Sequence, residues 1–308
     1  MSRYPRTVLG TVCLPWRGDG TLNETVFRRT VTNLVQAGLP DLYVFGTAGE
    51  GYAVTDSVFR RVAALFAQTM ADAGGAKPMV GVISLSLPTM IERIAYCRTL
   101  GIDTFQFSLP GWSVTTDDEV RRAFAEICGR FPDAQFLHYN LLRAGRLVSP
   151  RLYAELTEAH PNLVATKYGG GDPVMITGLL RHAPQLRHFF TELGYYLGAP
   201  LGDCALLTSI SSSHPKRAFD YLRAGAEGDA VGFAALYREL CGVLHALLES
   251  AGGSFVDGAY DKMIHKLSEP DFPLALLPPY QSTSEAAFLA YRDALLRDYP
   301  DWLPVAGG

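Results

Sequence analysis

The chain is poor in lysine. Five lysines stand against 22 arginines, so a lysine in an apolar setting stands out. The five cysteines (Cys13, Cys97, Cys128, Cys204 and Cys241) are widely spaced and odd in number, and no CxxC pair occurs. Neither a disulfide framework nor a zinc site is therefore expected. The seven histidines form no HExxH and no paired spacing, which argues against a metal enzyme. No GxSxG elbow exists, so Ser211-Ser212-Ser213-His214 reads as a helix-start cap. The glycines Gly169-Gly170-Gly171 follow a lysine and lack a GK[ST] continuation, so phosphate binding is not expected there. No apolar run approaches the ~20 residues of a membrane span. Met1-Ser2-Arg3-Tyr4-Pro5 lacks the apolar core of a signal peptide. A cytoplasmic protein is the expectation. The net charge of −4 and the isolated arginine pairs give no basic stripe. Nothing in the charge calls for nucleic acid or an anionic membrane.

What is present is alternation. The 308 residues suffice for one large barrel or two modest domains. Eight short apolar runs read as strands: Val8–Leu14, Leu42–Phe45, Met79–Ile83, Thr104–Leu109, Gln135–Tyr139, Leu163–Lys167, His188–Thr191 and Ala205–Ile210. Most are β-branched or aromatic without clean alternation, as strands buried on both faces should be. Amphipathic stretches lie between them, including Glu24–Ala37, Asp56–Ala73, Pro88–Leu100, Asp117–Arg130 and Pro150–Ala159. Thr55-Asp56, Thr116-Asp117 and Ser149-Pro150 read as helix starts. The pattern predicts an α/β fold, a (β/α)8 TIM barrel. A doubly wound sheet is the main competitor. It usually carries a GxGxxG turn after its first strand, and Leu14-Pro15-Trp16-Arg17-Gly18-Asp19-Gly20 does not match one. After Pro215 only helical patterns remain, at Ala218–Ala224, Asp229–Ser250, Asp257–Leu267 and Ser284–Asp298. The expected division is a barrel over 1–225 and a C-terminal helical region over 226–308 packed on it.

Lys167 ends the apolar run Leu163-Val164-Ala165-Thr166. Burying an ammonium there costs several kcal/mol unless it is paired or neutral. A free lysine is the neutral amine only about 0.04% of the time at pH 7. A pKa lowered to roughly 7 raises that fraction about a thousandfold. The expectation is therefore an amine kept uncharged by burial and able to condense with a ketone. The competing reading is a lysine that snorkels to water or pairs with an acid. Active sites of such barrels sit at the C-terminal ends of the strands. Strand two ends in Gly46-Thr47-Ala48-Gly49-Glu50, strand four in Pro110-Gly111-Trp112, strand five in His138-Tyr139-Asn140 and strand six in Lys167. An imine on Lys167 would be an electron sink for making or breaking a neighbouring C–C bond. Tyr139 is a plausible hydroxyl donor for its formation and collapse. His138 should point to the opposite side of its strand.

These residues carry a resemblance. GTAGE at 46–50, YN at 139–140 and the strand-six lysine recur, in that order and near these intervals, in the dihydrodipicolinate synthase / N-acetylneuraminate lyase family of class I pyruvate-dependent aldolases. The chain resembles that family from about residue 7 to about residue 300, including Leu14-Pro15-Trp16…Asp19-Gly20. The resemblance implies Lys167 as the Schiff-base nucleophile, Tyr139 as acid/base, and Thr47 as carboxylate contact or proton relay. It implies substrate contacts from Gly46, Ala48, Gly49, Trp112, Arg143, Arg146 and Ile210, and a structural brace at Glu50. It also implies no cofactor and a homotetramer or dimer.

The chain departs from the family pattern in three places. Ala48 replaces a second hydroxyl residue. Leu141-Leu142 replaces the usual proline, leaving Arg143-Ala144-Gly145-Arg146 one residue out of step. Trp112 replaces a proton-relaying tyrosine and cannot do its work. Trp112 with Ala165-Thr166-Lys167-Tyr168 looks nearer the hydratase-aldolase branch, where it would form a flat wall for an aryl substrate. The expected function is Schiff-base lyase or aldolase chemistry on pyruvate or a derived 2-oxo acid, with an aldehyde as the second partner. Alternatives are a non-catalytic 2-oxo-acid binder on the same fold, a dihydrodipicolinate synthase-like condensation, and a 2-keto-3-deoxy sugar acid dehydratase/aldolase.

Overall fold

The computed structural model describes residues 2–304. Eight strands pair in parallel and in chain order, and β1 closes on β8 to complete a barrel. They are β1 (Val8–Val12), β2 (Leu42–Val44), β3 (Met79–Gly81), β4 (Thr104–Phe107), β5 (Gln135–Asn140), β6 (Leu163–Tyr168), β7 (Arg187–Phe190) and β8 (Ala205–Leu207). Each strand is followed by a helix. These are α1 (Glu24–Gln36), α2 (Asp56–Asp72), α3 (Leu87–Thr99), α4 (Asp117–Cys128), α5 (Pro150–Ala159), α6 (Pro173–His182), α7 (Glu192–Gly198) and α8 (Pro215–Glu227). Among the described residues three further α-helices follow, α9 (Ala230–Ala251), α10 (Asp257–Ser268) and α11 (Glu285–Asp298). The fold is a (β/α)8 barrel with C-terminal helices.

All eight strand candidates are strands, but most stop earlier than the apolar runs do. The surplus residues turn outward into the loops that build the mouth. The helix starts hold: Thr55, Thr116 and Ser149 each accept a hydrogen bond from a first-turn N–H, and Thr116 with Glu119 forms a capping box. His214 caps α8 through its ring rather than through the serines before it.

α9, 22 residues long, is by length and composition apolar enough to cross a membrane. Arg238, Glu239 and His245 interrupt its apolar runs. In the structure α9 packs on α7, α8 and α11, and Leu244 and Leu247 reach the barrel mouth.

Register positions the site. Phe136 of β5 pairs with Leu163 of β6, but Leu137 pairs with Ala165, so β6 carries one extra residue at Val164. Such a bulge shifts the facing of the residues beyond it. It sets Tyr139 opposite Lys167. Unshifted pairing would have set Tyr139 opposite Thr166. Thr166 faces outward, where its hydroxyl meets His188 Nδ1 at 2.7 Å.

Candidate active site

The turn after β2 is built under strain. Phe45 and Glu50 both have positive φ, 64° and 53°, a conformation that costs a non-glycine residue about 1–3 kcal/mol. Gly49 is required by space: a Cβ there would stand 2.8 Å from the Phe45 backbone nitrogen and 3.0 Å from the Val12 carbonyl oxygen. Gly46 leaves room for the Tyr43 ring, which would lie 2.3 Å from an added Cβ. Glu50 holds this turn to the rest of the chain. Its carboxylate accepts from Trp16 Nε1 at 2.9 Å, from the Leu277 N–H at 2.8 Å and from Lys262 Nζ at 2.6 Å.

Glu50 and Lys262 are both fully buried. Removing one partner of a buried pair typically costs about 3–5 kcal/mol, because the other charge is stranded. Lys262→Met should therefore lower the thermal midpoint by on the order of 5–10 °C, read by circular dichroism. A midpoint unchanged within about 1 °C would remove Glu50 and Lys262 from the account of how the turn is held.

Lys167 projects inward from β6 and is 5% exposed. Its Nζ donates to the Tyr43 hydroxyl at 3.3 Å and lies 4.1 Å from the Tyr139 ring centroid. Burial works against the ammonium. Tyr139, Tyr43 with its hydrogen bond, and Asp257 outweigh it and hold Lys167 above the ordinary lysine range. These groups favour the charged form of the amine. This corrects the expectation of an amine kept neutral by burial: the run Leu163–Thr166 is apolar, but the interior layer beside it is phenolic, and aromatic faces and hydroxyls favour a cation.

Lys167 opens into a cavity of about 390 Å3 at the C-terminal end of the barrel, together with Tyr139, Tyr43, Thr47, Ala48 and Arg143. Three carboxyl side chains share it: Glu192 after β7, and Asp257 and Asp261 one turn apart on α10. Asp257 forms a bidentate pair with Arg143, at 2.5 and 3.2 Å. Burial works to raise Asp257. Hydrogen bonds from Arg143 and Thr47, with the charges of Arg143 and Lys167, outweigh it and hold the carboxyl below its usual range. Asp261 goes the other way: burial first, then Asp257, push it up to about 7. Burial also raises Glu192, which accepts from the Thr208 hydroxyl at 2.5 Å. A larger cavity of about 590 Å3 adjoins this one and shares Thr47 and Arg143, but Lys167 does not line it.

The sequence-derived site residues fall into two groups. Lys167, Tyr139, Thr47, Ala48 and Arg143 converge on one cavity, and Gly46 and Gly49 shape the turn that carries Thr47. Trp112 lies elsewhere, 86% exposed on the loop after β4. Arg146 donates to the Thr115 carbonyl and pairs with Asp117 at 2.6 Å. Ile210 is buried in the helical turn after β8 and does not line the cavity. His138 faces the helices, with Nδ1 2.6 Å from the Tyr153 hydroxyl, and burial lowers it to about 3.

Sequence reasoning missed Tyr43, Glu192, Asp257 and Asp261. The rule that strand ends carry function would have found Glu192, two residues beyond β7. The i, i+4 spacing of Asp257 and Asp261 puts both on one helix face, but nothing local says that this face meets the barrel mouth.

The profile of the dihydrodipicolinate synthetase family matches residues 4–264. Among curated relatives, a 4-hydroxy-tetrahydrodipicolinate synthase from Exiguobacterium sp. is 25% identical over 178 residues, covering 58% of this chain. That match spans only 60% of the Exiguobacterium protein. The 4-hydroxy-tetrahydrodipicolinate synthase of Moorella thermoacetica is 27% identical over 78% of this chain and 82% of its own length. Among solved structures, YagE, a prophage protein of the dihydrodipicolinic acid synthase family from E. coli in complex with pyruvate, superposes with a TM-score of 0.85. It is 15% identical, and the alignment covers 94% of this chain and 97% of YagE. At that identity the likeness speaks for the fold.

Proposed function

Since the chain belongs to the dihydrodipicolinate synthetase family, we propose that it is a class I, imine-forming lyase or aldolase acting on pyruvate or a pyruvate-derived 2-oxo acid. The observation that carries this is the convergence of one buried lysine amine, a phenol from the neighbouring strand and a hydroxyl from the GTAGE turn on a single cavity. The Lys167 ammonium first loses a proton to solvent, with the Tyr43 hydroxyl, 3.3 Å from Nζ, holding the amine in place. The neutral amine then attacks the ketone carbon, and the ketone oxygen takes a proton from Tyr139. The carbinolamine loses water as Tyr139 takes and returns protons, leaving an iminium on Lys167. The iminium accepts the electron pair of a neighbouring C–C bond, or of a C–H bond whose proton the Tyr139 phenolate takes, and becomes an enamine. Attack of the enamine on an aldehyde makes a C–C bond as the aldehyde oxygen takes that proton, water then hydrolyses the iminium to free Lys167, and the reverse breaks the bond. Backbone N–H groups of the Gly46–Gly49 turn suit the 2-oxo acid carboxylate.

The meeting of Lys167, Tyr139 and Thr47 in one cavity favours catalysis over mere binding of a 2-oxo acid. The test is a panel of aldehydes incubated with pyruvate and the protein, scored for condensation products. Pyruvate consumption with at least one aldehyde, lost in Lys167→Ala, is the expected result. Adduct formation with pyruvate but no turnover of any aldehyde would instead make the protein a binder.

A further inference from the structure

We infer that Asp257 sets the selectivity of this cavity. Its carboxylate fills the place beside Arg143 and Thr47 where a distal carboxylate of the second substrate would sit. The second substrate is therefore an aldehyde that carries hydrogen-bond donors such as hydroxyls and no carboxylate of its own. The inference rests on the imine-forming reading above and goes beyond it by naming the class of partner.

The side-chain inventory carries the argument. Arg143 and Lys167 are the two cationic side chains that line the cavity. Lys167 is committed to the ketone. Arg143 already spends its planar fork on Asp257, through two hydrogen bonds of 2.5 and 3.2 Å. That pairing takes the Nη1–Nη2 edge of the guanidinium, so a second carboxylate would have to displace Asp257 or settle for the Nε side. The remaining polar lining carries no positive charge; it includes the carboxyls of Asp261 and Glu192 and the hydroxyls of Thr11, Thr191 and Ser209. A carboxylated aldehyde would meet the Asp257 carboxylate and two further carboxyl groups, whereas hydroxyl groups would meet acceptors.

Stability does not explain the pair. The Arg143 side chain is 60% exposed, and exposed ion pairs contribute little to folding. Asp257 is the first residue of α10, where the helix N-terminus favours an anion without help from Arg143. The pair's main consequence is the charge that the cavity presents.

The test compares condensation of pyruvate with succinic semialdehyde, which ends in a carboxylate, and with glyceraldehyde, which ends in hydroxyls. The wild type should favour glyceraldehyde in kcat/KM. Asp257→Asn frees the fork, and the ratio should move toward succinic semialdehyde by about ten- to a hundredfold, the range of a recovered charge-assisted contact. Arg143→Met alone bares the Asp257 carboxylate and should move the ratio further toward glyceraldehyde, opposite to Asp257→Asn. The double variant should lose what Asp257→Asn gained. Asp257→Ser serves as the second variant if the asparagine form does not fold. Borohydride trapping of pyruvate on Lys167 runs alongside. A ratio unchanged in a folded Asp257 variant that still traps pyruvate would overturn the selectivity role and leave the imine reading standing. A wild type that prefers succinic semialdehyde would do the same. No adduct in any form would overturn both.

Discussion

Tyr139→Phe should keep the barrel and slow turnover by about 10²–10⁴-fold, the usual contribution of a positioned proton donor. The ring of Tyr139 is packed against the Lys167 ammonium at 4.1 Å from its centroid, and phenylalanine keeps that face. The hydroxyl alone is lost. Every step from carbinolamine to imine moves a proton, so kcat should fall far more than KM rises. Circular dichroism and the thermal midpoint should match the wild type. The phenylalanine form should still acquire the pyruvate adduct, only more slowly, because the nucleophile remains. A variant with undiminished kcat would transfer the proton-handling role to Tyr43, whose hydroxyl is the one within hydrogen-bond distance of Nζ at 3.3 Å.

Lys167→Ala should abolish pyruvate-dependent turnover, with no adduct at any pyruvate concentration. No other lysine can substitute. Lys262 is fully buried against Glu50, and neither Lys77, Lys216 nor Lys266 lines the cavity. The fold should survive, because β6 stays paired to β5 on one side and β7 on the other. The charged resting state adds a pH dependence. With Lys167 held above the ordinary lysine range, the neutral fraction grows with pH throughout the neutral region, about tenfold per unit. The initial rate of adduct formation in the wild type should therefore rise from pH 6 to pH 8. A rate that stays level or falls over that interval would contradict a charged resting amine.

Much of this architecture was legible in the chain itself. The eight apolar runs were strands because residues buried on both faces must be apolar throughout. The strand-end motifs converged because parallel barrels gather those ends at one mouth. Three things were out of reach. Tyr43 sits inside an apolar run, where a tyrosine reads as core, and only barrel closure brings its hydroxyl to Lys167. Asp257 and Asp261 lie on a helix beyond the barrel, so tertiary packing alone carries them to the cavity. The charge of Lys167 depends on groups from β2, β5 and α10, which no window around β6 contains. Trp112 marks the opposite case: a conspicuous residue at a strand end whose ring stands away from the cavity of its own chain.

The most direct measurement is borohydride reduction of the wild-type protein in the presence of pyruvate, followed by peptide mass mapping. The account predicts a 1-carboxyethyl group on the peptide containing Lys167, on no other lysine, and none without pyruvate. An unmodified Lys167 under conditions where pyruvate is turned over would contradict it.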